Sequence, residues 1–259
     1  MTRLEPDPKI LQRVVDDMKK IEPSPGEDVI RAHALLLSRL AQPGTWFSGR
    51  ERVAIAAEAR AADGCGFCGE RKKALSPYGL EGEHTRAPGS DFLPAEFVDR
   101  IHLALTDAPR MTKAAVDSLG EVGLSAGHWA EALGILSALR SVDRACRGMG
   151  VPQHPLPAPL AGEPSREQPT GLGDIGAFVP AITGGPPPPP NEDLWGEETP
   201  NVVRALSGAP NAVRDVKLLA EAQYVPLEIF EDPSLQRTLT RPQMELIAAR
   251  VSAINDCFY

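Results

Sequence analysis

The sequence predicts an all-α protein, and three observations indicate this. Aromatic residues are only 5% of the chain and alanine is abundant, which favours close-packed helices over sheets. Apolar residues recur at helical spacing, as in the set Met244, Ile247, Ala248 and Val251. Proline and glycine separate these amphipathic segments, as expected at helix ends.

The first half of the chain reads as a series of helices. Apolar spacing predicts helices over 8–22 and 27–40, and Ser48 is placed to cap a third that runs to about residue 62. Asp63 is placed to cap a new helix that begins near Gly64.

The next segments continue the helical pattern after a loop over 76–89, which carries His84. Pro94 starts a helix, residues 112–119 read as a short one, and Ser125 caps a long helix that ends near Met149. These elements form a predicted N-terminal helical module over 1–150.

A change of composition marks a predicted linker over 151–200. This segment holds 13 of the 26 prolines, five of them in a row at 186–190, so it is neither regular helix nor a central strand. Phe178, Val179, Ile182 and Trp195 favour docking of parts of it on the protein, and a free tether is the alternative. Helices resume over 201–259, which we interpret as a C-terminal half-module.

Bulk properties exclude several classes of partner. The net charge of -8 and the pI near 5.2 argue against nucleic acid or an anionic membrane as a main partner. The N-terminus lacks the apolar core of a signal peptide, and no stretch approaches the roughly 18 apolar residues of a membrane helix. We therefore expect a soluble, cytoplasmic protein.

The chemistry is predicted at Cys65 and Cys68, which form a C-x-x-C pair. A cysteine in the first turn of a helix has a lowered pKa, and its neighbour three residues on lies on the same face, so a redox-active disulfide can close. Half of a zinc site, with His84 and His102 as remote ligands, is one alternative, and a purely structural pair is another. Cys146 lies within a helical pattern and reads as a small buried hydrophobe.

The C-terminal residues repeat the pattern of the first pair. Counted back from Cys257, Thr240 matches Ser48, Ile247 matches Ile55 and Asn255 matches Asp63. Both stretches have a helix cap, an alanine-rich helix, a turn residue and then a cysteine. Two related copies are therefore predicted, with chance similarity between alanine-rich helices as the alternative.

This pattern resembles the alkylhydroperoxidase D and carboxymuconolactone decarboxylase family, best at 240–259 and more weakly at 48–73. The resemblance implies two all-α alkylhydroperoxidase D-like modules joined by the Pro-rich linker, and a homo-oligomer. It implies reduction of hydroperoxides through redox cysteines, with electrons from a small thiol or dithiol protein and with neither metal nor flavin. A lactone decarboxylase of the same family is disfavoured, because such members do not need the cysteines.

The family's relay residues are divided between the copies. Its glutamate, twelve residues before the first cysteine, matches Glu245 ahead of Cys257, whereas Val53 and Lys72 occupy the glutamate and histidine positions of the first copy. Glu51, Glu58 or His84 could replace that relay. His84 is preferred for its near-neutral pKa, and an ordinary surface histidine is the alternative.

In the register of the second copy, the position equivalent to Cys68 is residue 260. One hypothesis is a selenocysteine there, encoded by UGA, and the alternative is an ordinary end. The codon after 259 in the gene distinguishes them.

These observations predict a thiol-dependent peroxidase whose catalytic residues are drawn from Cys65, Cys68, Cys257, Glu245 and His84. The rival is a non-catalytic helical scaffold or binding protein with degenerate redox sites.

Overall fold

A computed structural model describes residues 5–254 except 23, 77–78, 198, 227–228 and 230–231. The predicted all-α class is confirmed: the described chain is mostly helical, with one two-stranded sheet. The helices are α1 (Pro8–Met18), α2 (Glu27–Leu40), α3 (Gly49–Ala61), α4 (Gly66–Lys73), α5 (Ala95–Thr106), α6 (Lys113–Asp117), α7 (Ala126–Gly148), α8 (Asn201–Arg204), α9 (Pro210–Gln223) and α10 (Arg241–Ile254). None of these helices is long and apolar enough to cross a membrane.

The starts of α3 and α7 follow the capping residues that the sequence indicated. Ser48 and Glu51 form a capping box at the start of α3, and Ser125 does the same with His128 at α7. Thr240 also bonds to the residue three positions on, since its N–H donates to Gln243 Oε1 at 2.9 Å. The two-copy relationship between α3 and α10 stays a prediction, because 255–259 lie outside the described residues.

The main core lies between α3, α5 and α7. Phe47 stacks on Phe97 with ring centroids 5.6 Å apart, and Phe97 meets Trp129 edge to face at 6.3 Å. All three rings are buried. Because this core clamps α3 against α5, it determines which polar residues of these two helices meet.

A second core joins α1 and α2 to α7 and α9. Val14, Met18, Leu37 and Val142 pack there with Leu219 of α9. Helices α7 and α9 come so close that a side chain at Gly134 would clash with Ala212. The predicted division into 1–150, 151–200 and 201–259 stays a prediction, although α9 contributes to a core built by N-terminal helices.

Parts of the Pro-rich segment dock on the helices. Its two short strands, β1 (Leu172–Gly173) and β2 (Ala181–Ile182), pair antiparallel. The side chains of Ile182, Leu194 and Trp195 are buried in a third apolar cluster with residues of α8 and α9. Of the two alternatives for this segment, docking therefore applies to these parts.

Buried ion pairs tie the helices together. Arg52 of α3 pairs with Glu131 of α7, and Arg39 of α2 pairs with Asp215 of α9 at 2.6 Å. Arg60 of α3 donates twice to Asp143 of α7, at 2.9 and 2.7 Å. Such pairs are weak sources of stability, but removing one partner leaves a buried charge without compensation.

Arg60→Ala should therefore lower the free energy of unfolding by about 3 kcal/mol, because Asp143 remains buried. Denaturant unfolding of the two proteins measures the difference. Arg144→Ala is the matched control: that side chain is half exposed, its carboxylate partner Asp63 is 3.6 Å away, and the expected loss is under about 1 kcal/mol. Equal losses in both variants would contradict the assignment.

A buried histidine pair links α2 to the segment after α7. His33 Nδ1 is 3.4 Å from His154 Nε2, and the amide nitrogen of Gln223 is 2.6 Å from His33 Nε2. Ser141 donates to the Gln223 carbonyl oxygen at 2.5 Å, so the glutamine amide donates to His33 and His33 donates to His154. Burial, together with the neighbouring His154, lowers the pKa of His33 to about 4.

His33 should make the protein acid-sensitive. Its folded-state pKa of about 4 lies below the ordinary 6.5, so the unfolded chain binds the proton more tightly. The contribution of neutral His33 to the free energy of unfolding is fully present above pH 6.5 and falls by about 3 kcal/mol as the pH drops towards 4. The difference in unfolding free energy between wild type and His33→Gln, measured across this range, should change by that amount. A constant difference would refute this origin, and Arg144→Ala should retain the wild-type slope.

Candidate functional site

The C-x-x-C pair stands at the start of α4. The chain leaving α3 makes one 3-10 turn over Ala62–Gly64, so the helix begins at Gly66 and Cys65, not Asp63, is its N-cap residue. The predicted cap was therefore wrong. Asp63 is exposed and instead accepts from Arg140 of α7 at 2.5 Å. Cys68 falls in the first turn of α4.

Two histidines close around the sulfurs. His84, from the loop between α4 and α5, places Nδ1 3.6 Å from Cys65 Sγ and 3.4 Å from Cys68 Sγ. His102 of α5 places its Nδ1 3.4 Å from Cys68 Sγ. The side-chain ligand atoms of all four residues lie within 4.8 Å of one another.

Each histidine is held from behind by a carboxylate. His84 Nε2 is 2.9 Å from Asp99 Oδ1, and His102 Nε2 is 3.1 Å from Glu58 Oε2. A proton on each Nε2 is therefore donated to a carboxylate, and each Nδ1 is left to face the sulfurs. This relationship fixes both ring orientations.

Glu58 lies at the bottom of the site and is fully buried. It accepts from the Ser90 hydroxyl and from the backbone N–H of Ala87 at 3.3 Å, and Arg86 Nε lies 3.4 Å away. Burial alone would raise the pKa of this carboxyl, but the hydrogen bonds from His102 and Ser90 outweigh it and leave the pKa below its ordinary value. Glu58 is thus a buried anion beside His102.

Asp99 is the more accessible of the two carboxylates. It pairs with Arg71 at 2.5 Å and also with Arg100. Burial opposes ionisation, but His84 and the arginines lower its pKa to about 2. His84 therefore faces a permanent negative charge.

The same contacts determine the ionisation of the sulfurs and imidazoles. Burial opposes the Cys68 thiolate, but hydrogen bonds with His102 and His84 outweigh it and lower the pKa to about 5. At Cys65, burial is outweighed by the backbone N–H groups of Cys68 and Thr85, and the pKa is again below its ordinary value. Burial would lower the histidine pKa values, but Asp99 raises that of His84 to about 10, and Cys68 with Glu58 raises that of His102 to about 9.

A cleft of about 930 Å³ opens beside the site. Its wall includes Phe67, Arg71, His84 and Asp99. The two sulfurs lie behind His84, and their residues are only 5% and 2% exposed for Cys65 and Cys68. Of Cys65, Cys68, His84 and His102, His84 alone lines the cleft.

The other residues singled out in the sequence lie elsewhere. Glu245 accepts from the Tyr224 hydroxyl at 2.5 Å and from Arg241 Nε at 2.6 Å, while Cys257 is outside the described residues. Glu51 belongs to the α3 capping box and Lys72 is exposed. Cys146 is fully buried as predicted, and burial together with Asp143 raises its pKa.

Sequence reasoning placed Glu58 among the candidate relay residues and His102 among remote metal ligands, but it did not join them. His102 is surrounded in sequence by the apolar residues of α5, among which a histidine would normally be exposed or paired. The sequence around His102 therefore indicated a buried histidine that needs a partner. It did not indicate that the partner is Glu58, because the two residues are 44 positions apart.

Comparison with known proteins adds no relative. No family model, no curated protein and no solved structure matches the chain. The resemblance to the alkylhydroperoxidase D family therefore stays a prediction.

Proposed function

We propose that this chain is a dithiol oxidoreductase that reduces hydroperoxides with Cys65 and Cys68. The observation that carries the proposal is the position of Cys68 Sγ, 3.4 Å from Nδ1 of both His84 and His102. A sulfur flanked by two imidazoles, each backed by a carboxylate, has proton donors and acceptors on both sides.

Cys68 is the attacking sulfur, because it contacts both histidines. Its thiolate forms a bond to one peroxide oxygen while the O–O bond breaks, and the departing oxygen takes a proton from the imidazolium of His84, which lines the cleft. The products of this step are an alcohol and Cys68 sulfenic acid. His102 and Glu58 hold the sulfur and its charge in place.

Cys65 is the resolving sulfur. The two sulfurs belong to a cluster whose ligand atoms all lie within 4.8 Å, so a small movement brings them to the roughly 2.05 Å of a disulfide. The Cys65 thiolate attacks the sulfenic sulfur, the S–S bond forms, and the hydroxyl leaves as water after taking one proton. A small thiol or dithiol protein then restores both thiols by disulfide exchange.

These steps use no flavin. A cytoplasmic location, a homo-oligomeric state and a contribution from Cys257 with Glu245 remain part of this proposal. The rival, a non-catalytic scaffold, is favoured by the burial of both sulfurs, since neither cysteine lines the cleft.

The test is consumption of hydrogen peroxide and of an organic hydroperoxide by chelator-treated protein with a dithiol reductant. Cys68→Ser should abolish turnover. Cys65→Ser should form a sulfenic acid, trapped by dimedone and detected by mass spectrometry, without a disulfide between residues 65 and 68. His84→Gln should slow consumption by about 10²-fold or more, because it removes the proton donor of the first step.

Cys146→Ser is the matched control, since it changes another buried cysteine and should leave the rate unchanged. Cys257→Ser is assayed separately and reports whether the second predicted site contributes. Equal rates in wild type and in the Cys65→Ser/Cys68→Ser double variant would reject the proposed function.

A further inference from the structure

The cluster of Cys65, Cys68, His84 and His102 has a second chemical property. Zinc in a tetrahedral site lies about 2.3 Å from sulfur and about 2.0 Å from nitrogen, which separates neighbouring sulfur and nitrogen ligands by roughly 3.5 Å. Three of the four sulfur–nitrogen pairs are in contact, at 3.4, 3.4 and 3.6 Å. These three distances match sulfur–nitrogen edges of a zinc tetrahedron, and all four donor atoms lie within 4.8 Å of one another.

The donor types are also those that zinc prefers. Two thiolates and two imidazoles form a closed Cys₂His₂ set, in which a C-x-x-C pair supplies both sulfurs. Two backbone N–H groups donate to Cys65 Sγ: that of Thr85, at 3.4 Å, and that of Cys68. Such bonds stabilise a thiolate that has lost its proton to a metal.

The carboxylates behind the histidines complete the pattern. Metal-binding histidines usually donate their other N–H to a carboxylate or carbonyl, which orients the ring and makes it a better ligand. Asp99 and Glu58 occupy these positions for His84 and His102, at 2.9 and 3.1 Å. Both Nδ1 atoms face the sulfurs, and loss of their protons to a bound metal would turn their lone pairs to it.

The second group of potential ligands provides an internal contrast. His33, Cys146 and His154 also lie close together and are fully buried. There, however, His33 already accepts from Gln223 and is 3.4 Å from His154, so its two nitrogens take part in a continuous hydrogen-bond chain. That group supplies three donors rather than four, and the carboxylate of Asp17 is 3.7 Å from His154 Nδ1, beyond hydrogen-bond distance.

We infer that the reduced protein binds one Zn²⁺ ion through Cys65 Sγ, Cys68 Sγ, His84 Nδ1 and His102 Nδ1. The argument for zinc binding depends only on the geometry of these four atoms. The effect of zinc on turnover rests on the proposed function: zinc and the disulfide exclude each other, because both need the same sulfurs. Oxidation of the bound pair by a hydroperoxide would take two protons and yield the disulfide, an alcohol, water and free Zn²⁺.

Cobalt(II) is the probe for this site, because it replaces zinc and reports its ligands by absorption. Reduced, chelator-treated full-length protein should bind one equivalent of Co²⁺, with strong tetrahedral d–d bands and a sulfur-to-cobalt charge-transfer band. One equivalent of Zn²⁺ should remove both. Oxidation to the disulfide should abolish binding and reduction should restore it, in the same chain without any substitution.

Variants assign the ligands. His84→Gln, which changes a loop residue, should shift or remove the tetrahedral bands, and Asp99→Asn should weaken cobalt affinity by about 10–100-fold. Cys146→Ser and Cys257→Ser are the matched controls and should each still bind one equivalent. Absence of the sulfur charge-transfer band in wild type, or its loss in either control, would overturn the inference.

Turnover separates this inference from the proposed function. One equivalent of Zn²⁺ should suppress peroxide consumption and a chelator should restore it. Cobalt binding without any peroxide consumption by metal-free protein would leave the zinc site standing and reject the peroxidase. Peroxide consumption by a protein that lacks the cobalt spectrum would leave the peroxidase standing and reject the zinc site.

Discussion

The buried contact between Glu58 of α3 and His102 of α5 is the interaction on which the site depends. Both side chains are fully buried, and their facing atoms are 3.1 Å apart. An isolated buried carboxylate would be costly, so its position requires donors on every side. Because Nε2 of His102 is committed to Glu58, the other ring nitrogen must face Cys68.

The same carboxylate organises the loop between α4 and α5. Ser90 and the Ala87 N–H both donate to Glu58, while Arg86 donates to the carbonyls of Ser90 and Leu93 at 2.6 and 3.0 Å. These bonds anchor the loop immediately after His84. A histidine in an otherwise exposed stretch is thereby held against two buried sulfurs.

The proposed dithiol chemistry and the proposed zinc binding draw on one arrangement for a physical reason. Both require thiolates, and both are helped by imidazoles whose far nitrogens are bonded to carboxylates. The two differ in the atom that bonds to the sulfurs, which is a peroxide oxygen in the dithiol chemistry and a metal cation in zinc binding. The cleft reaches His84 but neither cysteine, and the burial of Cys65 and Cys68 shields the sulfurs from large molecules.

Much of the local structure was determined by the sequence. The bounds of α2, the helix caps at Ser48 and Ser125, and the C-x-x-C pair at a helix start could be read from residue types and spacing, because caps and amphipathic periodicity act within a few residues. Two local expectations were wrong. The first helix was predicted to reach residue 22 but ends at Met18. The 3-10 turn after α3 moved the next cap from Asp63 to Cys65, since a single extra turn cannot be distinguished from a helix end by residue type.

Only the tertiary structure decided which distant residues meet. Docking of Ile182 and Trp195 depends on an apolar surface built by other helices, and the cluster of Cys65, Cys68, His84 and His102 depends on the packing of α3 against α5. The sequence alone contained each of these residues but not their distances, because a contact between residues 58 and 102 is set by how two helices pack and not by the pattern within either one.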